Sequence, residues 1–142
     1  MNELVSALND DGENYESLFS LSTKKILKMN YEMLLQLHLD KTTTLRYLKG
    51  LKEYRYVDEI HDLKCGVFIK WIPLIDPTNI PLNFSGIICE IKIADDVVLI
   101  VCKNFMHRHY TFNMAECLIF QKLSPQEKVI LMALDELEKG EI

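Results

Sequence analysis

The sequence has few glycines and none of the glycine-rich motifs that cradle phosphates. Its five glycines stand singly among 142 residues, which excludes both the GxxxxGK phosphate loop and the GxGxxG dinucleotide motif. No GxSxG motif is present, so the chain has no nucleophile elbow of the hydrolase type. No apolar run approaches the ~20 residues that a helix needs to cross a bilayer. These absences disfavour nucleotide-dependent enzymes, elbow-type hydrolases and helical membrane proteins.

The spacing of the cysteines matches no local metal-binding or redox motif. The four cysteines are Cys65, Cys89, Cys102 and Cys117, and they form no CxxC pair. The start, MNELVSALNDDGEN, is acidic and lacks the basic region and the long apolar region of a signal peptide. We therefore expect an intracellular protein whose cysteines are free thiols, since a reducing compartment disfavours disulfides.

Charge is distributed unevenly along the chain. The net charge of −5 comes from an acidic start (residues 1–23, −5), a basic middle (24–70, +4) and an acidic remainder (71–142, −4). The acidic total disfavours a dedicated DNA-binding protein, which usually carries a clear positive excess. The basic middle can still attract phosphate, or it can meet acidic surfaces within an assembly.

Apolar residues at a period of 3.6 predict two helices in the first part of the chain. The first extends from about Ser22 to Leu39, with Ser22 or Thr23 as N-cap. Asp40 caps the second, KTTTLRYLKGLKEY, which carries bases around an apolar side. Three consecutive threonines weaken that second helix, because threonine is a poor helix former.

The last part of the chain predicts a third helix from local signals alone. In SPQEKVILMALDELEKG, Ser124 can cap, Pro125 occupies the first helical position and Glu127 closes a capping box. Gly140 is well placed to end this helix.

Short segments rich in β-branched and aromatic residues predict five strands after Tyr54. They are VFIKWI (67–72), FSGIICEIKI (84–93), VVLIVC (97–102), HRHYTF (107–112) and CLIFQK (117–122). Asp95 and Asp96 suit a tight hairpin, and three prolines in PLIDPTNIPLN exclude a strand interior there. Five antiparallel strands with a long early loop predict a small half-open barrel, SH3-like or OB-like, because curling protects bare sheet edges. The predicted fold is α+β, with a helical segment (1–56) and a barrel with a capped helix (57–142) in one compact unit.

The stretch FMHRHYTF is the one that most resembles a chemical site. Strand alternation places His107, His109 and Thr111 on one face and the intervening residues on the other. Two histidines can share a metal, but tetrahedral zinc needs further ligands, and no CxxC or HxxxH spacing supplies them. We therefore predict an exposed strand and assign no metal, cofactor or catalytic residue. A metal-dependent enzyme is the least favoured alternative.

Two kinds of binding remain open. An interaction module would bury apolar helix faces and pair an edge strand with a neighbour; its predicted partner contacts are Trp71, Phe105, Tyr110 and Arg108. A small barrel can instead stack single-stranded bases on aromatic residues above a basic groove. The candidate phosphate contacts for that alternative are Lys70, Lys103, Arg108, Lys41, Arg46, Lys49, Lys52 and Arg55.

Three segments contain short motifs that can be considered together: LKCGVFIKWI (63–72), LNFSGIICEIKI (82–93) and CLIFQKLSPQEKVILMALDELEK (117–139). An opening strand of the form L-K-x-G-x-x-I and a closing I-F strand are matched by Leu63, Lys64, Gly66, Ile69, Ile119 and Phe120. Ser85 departs from the G-G start of a middle strand, and Gly86 matches its second glycine. Residues 60–123 thus resemble small β-barrel proteins of large nucleocytoplasmic DNA viruses. The resemblance implies a viral accessory or virion protein, such as a minor component that ties capsid or core parts together.

The sequence therefore predicts a non-enzymatic structural or interaction protein. We expect a scaffold or minor component of a larger assembly, such as a virion, with other proteins of that assembly as partners. A nucleic-acid-binding small barrel is the first alternative and a metal-dependent enzyme the second.

Overall fold

The computed structural model describes residues 22–76 and 84–140 and has an α+β architecture. Its helices are α1 (Thr23–Leu35), α2 (Lys41–Gly50) and α3 (Pro125–Gly140). Its strands are β1 (Tyr54–Val57), β2 (Phe68–Pro73), β3 (Phe84–Ala94), β4 (Val97–Lys103), β5 (His109–Asn113) and β6 (Cys117–Lys122). Short 3-10 helices span Ile60–Asp62 and Met114–Glu116. The acidic start and most of the proline-containing loop lie outside the described residues.

The helix caps follow the local signals in the sequence. The Ser22 hydroxyl accepts a hydrogen bond from Lys25 N, and the Asp40 carboxylate accepts one from Thr43 N. At α3, Glu127 N donates to Ser124 Oγ and Ser124 N donates to the Glu127 carboxylate, which completes the predicted capping box. The three predicted helix starts are thus confirmed, whereas α1 ends at Leu35 and not at Leu39.

The prediction of five strands is wrong, because the sheet has a sixth. The strands form one antiparallel sheet in the order β1-β6-β2-β3-β4-β5. β1 is only four residues long, and so short a segment gives a weak alternation signal. Closure into a barrel is not confirmed, since β1 and β5 lie at the two edges of an open sheet.

Alternating side chains along the central strands build two hydrophobic cores. On one side, Ile72, Leu118 and Phe120 pack with Leu34 of α1 and with Leu51. On the other side, the core contains Val57, Leu63, Ile69, Trp71, Ile88, Ile100, Cys102 and Ile119. Because neighbouring residues of a strand point to opposite faces, one short strand such as β2 supplies both cores.

The sheet curls strongly around the second core. Trp71 of β2 and Phe112 of β5 lie three strands apart in the sheet order, which would separate them by about 14 Å in a flat sheet. Their ring centroids are nevertheless 4.8 Å apart. Two features of β3 permit the bend: a register shift between Ile88 and Glu90, and Gly86, where an added Cβ would lie 2.9 Å from the Lys103 carbonyl oxygen.

The β1 edge of the sheet is covered by helix α1. The side-chain amide of the buried Asn30 donates to the Tyr54 carbonyl oxygen at 2.9 Å. Its amide oxygen accepts a hydrogen bond from Tyr56 N at 3.0 Å. Asn30 therefore supplies the donor and the acceptor that a further strand would offer, and it closes this edge.

We expect Asn30→Ala to lower the free energy of unfolding by about 1–3 kcal/mol, because it leaves the Tyr54 carbonyl and the Tyr56 amide without their partner. Urea denaturation of the purified chain measures the effect. Lys24→Ala, at an exposed position of α1, is the control and is expected to change stability by less than about 0.5 kcal/mol. Equal stability of the two variants would contradict the role of Asn30.

Candidate functional site

The loop that joins β4 to β5, Asn104–Arg108, is an ordered turn, and we refer to it as the tip. The Asn104 side-chain oxygen accepts hydrogen bonds from Met106 N at 3.0 Å and from Arg108 N at 2.9 Å. Asn104 N donates to Arg108 O at 2.9 Å, and His107 N donates to Asn104 O at 3.0 Å. An asparagine at this position stabilises the turn by mimicking backbone acceptors. The tip is therefore held in one conformation by its own hydrogen bonds.

The tip presents two adjacent apolar side chains to solvent. Phe105 is 87% exposed and Met106 is 61% exposed. Both stand within a basic sequence, since residues 103–110 contain Lys103, His107, Arg108 and His109 and no acidic residue. A preformed apolar tip loses little conformational entropy on binding, which favours its use as a contact surface.

The outer side of β5 pairs with no other strand of the described residues, and we refer to it as the free edge. The hydrogen bond from Asn104 N to Arg108 O makes Asn104 and Arg108 a hydrogen-bonded pair, so the next pair of the β4–β5 ladder, Lys103 and His109, is a non-hydrogen-bonded one. Because hydrogen-bonded and non-hydrogen-bonded pairs alternate, His109 and Thr111 direct their backbone N–H and C=O groups away from β4. Within residues 22–76 and 84–140, no strand pairs with that side. The free edge therefore offers backbone donors and acceptors to another strand.

The predicted exposed strand over FMHRHYTF is corrected at its start. β5 begins at His109, and His107 lies in the tip with φ +63°. His107 therefore does not share a strand face with His109 and Thr111, which are both exposed. The alternation holds from His109 onward, because Tyr110 and Phe112 pack against the core.

The four predicted partner contacts fall into two groups. Trp71 is 3% exposed, and its ring stacks on Phe84 and Phe112 and meets the edge of Tyr110. Trp71 and Tyr110 are thus parts of one aromatic cluster, in which Trp71 is almost fully buried and Tyr110 is half-buried. Phe105 and Arg108 remain exposed together at the tip.

The predicted phosphate contacts do not form one surface. Lys41, Arg46, Lys49 and Lys52 are exposed on α2 or in the turn after it, whereas Lys103 and Arg108 belong to the β4–β5 hairpin. The set also needs one correction. Arg55 is 7% exposed and its Nε lies 3.8 Å from the Glu127 carboxylate, so it faces a buried partner and is not available to a phosphate.

Lys70 of that set is engaged inside the fold. Its ammonium donates to the Gly50 carbonyl oxygen at 2.6 Å and lies 4.9 Å from the centre of the Tyr54 ring. Burial lowers the pKa of Lys70. The side chain thus ties the end of α2 to β2.

The cysteines and histidines do not converge on a reactive centre. All four cysteines are free thiols. Burial raises the pKa of Cys102 to about 12 and that of Cys117 to about 11, so both are protonated at neutral pH. Within the described part of the chain, no group of three or more His, Cys, Asp and Glu residues is arranged to hold a metal ion.

A groove with a volume of about 490 Å³ lies at the end of the β4–β5 hairpin opposite the tip. Apolar side chains line much of it, among them Met33, Leu74, Val98 and Met114, and it contains two carboxylates, Asp58 and Asp96. None of its described lining residues is basic. The lining residues come from α1, β1, the residue after β2, the β3–β4 turn, β4 and the segment from β5 to β6. Because these segments are far apart in the sequence, no local motif could have predicted the groove.

Comparison of the chain with protein-family models, curated proteins and solved structures gives no match. None of the described helices is long and apolar enough to cross a membrane. The candidate site is therefore defined by its geometry: an ordered apolar tip with basic flanks, a free edge beside it and an acidic apolar groove at the far end.

Proposed function

We propose that this protein is a non-enzymatic interaction module that docks on other proteins of a larger assembly through its β4–β5 hairpin. The observation that supports this most is the difference between the two sheet edges. Asn30 covers β1, whereas β5 has a free edge beside the exposed Phe105 and Met106. Proteins usually cover, charge or shorten sheet edges that are not used for pairing.

The free energy of docking would come mainly from the tip. Burying one large apolar side chain contributes roughly 1.5–3 kcal/mol, and Phe105 and Met106 are adjacent and mostly exposed. Aromatic and methionine side chains are enriched at protein interfaces. The tip would therefore supply an anchor at little cost in ordering, because its hydrogen bonds already hold it.

The free edge would supply register and direction. A partner strand that added to β5 would pair with the backbone groups of His109 and Thr111, as in β-strand addition. Such main-chain pairing tolerates many partner sequences, so the neighbouring tip would confer the selectivity. The two features lie on one hairpin and would act on one partner segment.

The wider setting of the proposal is a minor component of a virus particle. It is supported by the resemblance of residues 60–123 to small β-barrel proteins of large nucleocytoplasmic DNA viruses. The curl of strands β2–β6 around Trp71 also supports the half-open SH3-like or OB-like barrel that the sequence predicts. In that setting the hairpin would tie the chain to a capsid or core protein.

Nucleic-acid binding is the second candidate, and one observation favours it. Phe105 lies between Lys103 and Arg108, an arrangement in which a base could stack beside neutralised phosphates. We rank it second because Phe105 is the one Phe, Tyr or Trp residue among residues 104–108. In addition, Arg55 and Lys70 of the predicted phosphate contacts are engaged within the fold.

Site-specific photo-cross-linking tests the proposal. A benzophenone amino acid replaces Phe105 in the chain, which is expressed in the organism that naturally produces it. A matched chain carries the same amino acid in place of Met132, which is 66% exposed on α3. We expect a protein adduct from position 105 that position 132 does not give. Adducts to nucleic acid would support the second candidate, and equal adducts from both positions would overturn the use of the tip.

The same experiment measures the contribution of the free edge. Thr111→Pro removes an N–H that points away from β4, so it should block strand addition while leaving the β4–β5 ladder intact. We expect the adduct yield from position 105 to fall about tenfold, the equivalent of one lost hydrogen bond. Thr111→Val retains the backbone N–H and should leave the yield unchanged.

A further inference from the structure

We propose that copies of this chain associate head to tail, with the tip of one copy inserted into the groove of the next. The inference rests on the proposed function in using the same tip, and it names the partner as a second copy. Three observations carry it: the positions of tip and groove, the match of their apolar surfaces and the opposite signs of their charges.

The tip and the groove lie at opposite ends of one hairpin. Val98, near the start of β4, and Asn113, at the end of β5, line the groove, whereas the tip joins the other ends of these strands. At about 3.3 Å per residue, β4 separates the two features by roughly 20 Å. The paired strands hold this separation, so a chain cannot insert its tip into its own groove, but it can insert it into another copy.

The apolar surfaces are suited to each other. Met33, Leu74, Val98 and Met114 line a groove of about 490 Å³, and sites that enclose small ligands span roughly 300–1,000 Å³. The groove can therefore receive the Phe105 side chain. Methionine side chains adapt to the shape of a partner and make favourable sulfur–aromatic contacts.

The charges of the two ends are complementary. The tip and its flanks contribute the cations Lys103 and Arg108, and residues 103–110 contain no acid. The groove contributes Asp58 and Asp96, and the exposed Glu59, Asp95 and Glu116 adjoin its lining residues in sequence. Opposite charges at a contact rim accelerate association and orient it, and salt weakens them. A nucleic acid would be attracted to the tip but repelled by this groove, so a second copy uses both features better.

A tip-to-groove contact joins two different surfaces, so it is heterologous. Each complex retains a free tip at one end and a free groove at the other. Association therefore continues beyond a dimer, into a ring or a filament, whereas a two-fold contact would stop at two copies. This difference makes the proposal separable from ordinary dimerisation.

Mixing two variants of the full chain tests the proposal. Phe105→Ser removes the anchor and leaves the groove, and Leu74→Asp places a charge in the groove and leaves the tip; both positions are exposed. By sedimentation velocity, we expect the unaltered chain to form a series of species whose average mass increases with concentration and falls at high salt. Each variant alone should associate at least tenfold more weakly. An equal mixture should form a species of twice the monomer mass and nothing larger.

Met132→Ser, on α3, is the matched control and should associate like the unaltered chain, and circular dichroism verifies that each variant is folded. The proposal is overturned if the unaltered chain stays monomeric at all concentrations, or if the mixture of the two variants fails to associate. A monomeric chain that still gives a protein adduct from position 105 would refute self-association and leave the proposed function standing. If the unaltered chain is monomeric and position 105 also gives no specific protein adduct, both self-association and the proposed function are refuted.

Discussion

Trp71→Ala is expected to lower the free energy of unfolding by about 3–5 kcal/mol, one of the two largest effects proposed for this chain. The Trp71 ring is almost fully buried and contacts Phe84, Tyr110 and Phe112. Removing it deletes a large apolar surface and leaves a cavity, and it also removes aromatic contacts worth about 0.5–1.5 kcal/mol each. A total stability of about 5–15 kcal/mol would be substantially reduced.

The substitution should also affect the candidate site, because Trp71 lies beneath β5. Tyr110 and Phe112 would lose the ring that holds them against the second core. In this variant we therefore expect faster amide hydrogen exchange in β5 than in β1, because β1 is held by Asn30 at the opposite edge of the sheet. The packing of Trp71 in the second core would therefore determine how firmly the free edge is held in place.

Denaturation in urea, monitored by far-ultraviolet circular dichroism, measures the change in the free energy of unfolding. This signal does not need the tryptophan that the variant lacks. Phe68→Ala on the same strand is the control, since Phe68 is partly exposed and should change stability by only about 0.5 kcal/mol. If Trp71→Ala and Phe68→Ala were equally mild, the aromatic cluster would not be the centre of the fold.

Glu127→Ala is the second change for which we expect a large effect, also about 3–5 kcal/mol. The Glu127 carboxylate is buried, accepts a hydrogen bond from Ser124 N and faces Arg55 at 3.8 Å. Within the described residues, Arg55 Nε has no hydrogen-bond partner. Removing the carboxylate would therefore leave a buried guanidinium without its opposing charge. It would also remove one of the two hydrogen bonds of the capping box, the bond from Ser124 N.

A double-mutant cycle separates these two contributions. Glu127→Gln retains an acceptor for Ser124 N but removes the charge, and Arg55→Met removes the guanidinium. If the unpaired charge dominates, adding Arg55→Met to Glu127→Gln should restore part of the lost stability. Simple additivity of the two losses would contradict that explanation. Glu136→Ala, at an exposed position of α3, is the control and should change stability by less than about 0.5 kcal/mol.

The hairpin proposals and the Glu127 prediction concern different parts of the molecule. Arg55 and Glu127 hold α3 against β1, on the closed edge of the sheet, whereas the tip and the free edge lie on the hairpin at the other edge. Exposed substitutions such as Phe105→Ser should therefore change association without lowering stability. A loss of association in a fully stable variant is then evidence for contact and not for unfolding.

The sequence by itself determined the features that depend on near neighbours in the chain. The cap at Asp40 and the capping box of Ser124 and Glu127 involve residues three positions apart, so their spacing alone specifies the hydrogen bonds. The turn at Asp95 and Asp96 is similar, because both residues tolerate the positive φ values of 48° and 65° that the tight β3–β4 turn requires.

Only the tertiary structure decided which residues from distant segments meet. Trp71 was predicted to contact a partner and lies in the core, because the curl of the sheet brings β5 over β2. Arg55 was predicted to bind phosphate and is buried, because the first turn of α3 places Glu127 opposite it. The groove, the covering of β1 by Asn30 and the free edge of β5 all depend on strand order. Strand order follows from the total free energy of packing, which no short segment of the sequence encodes.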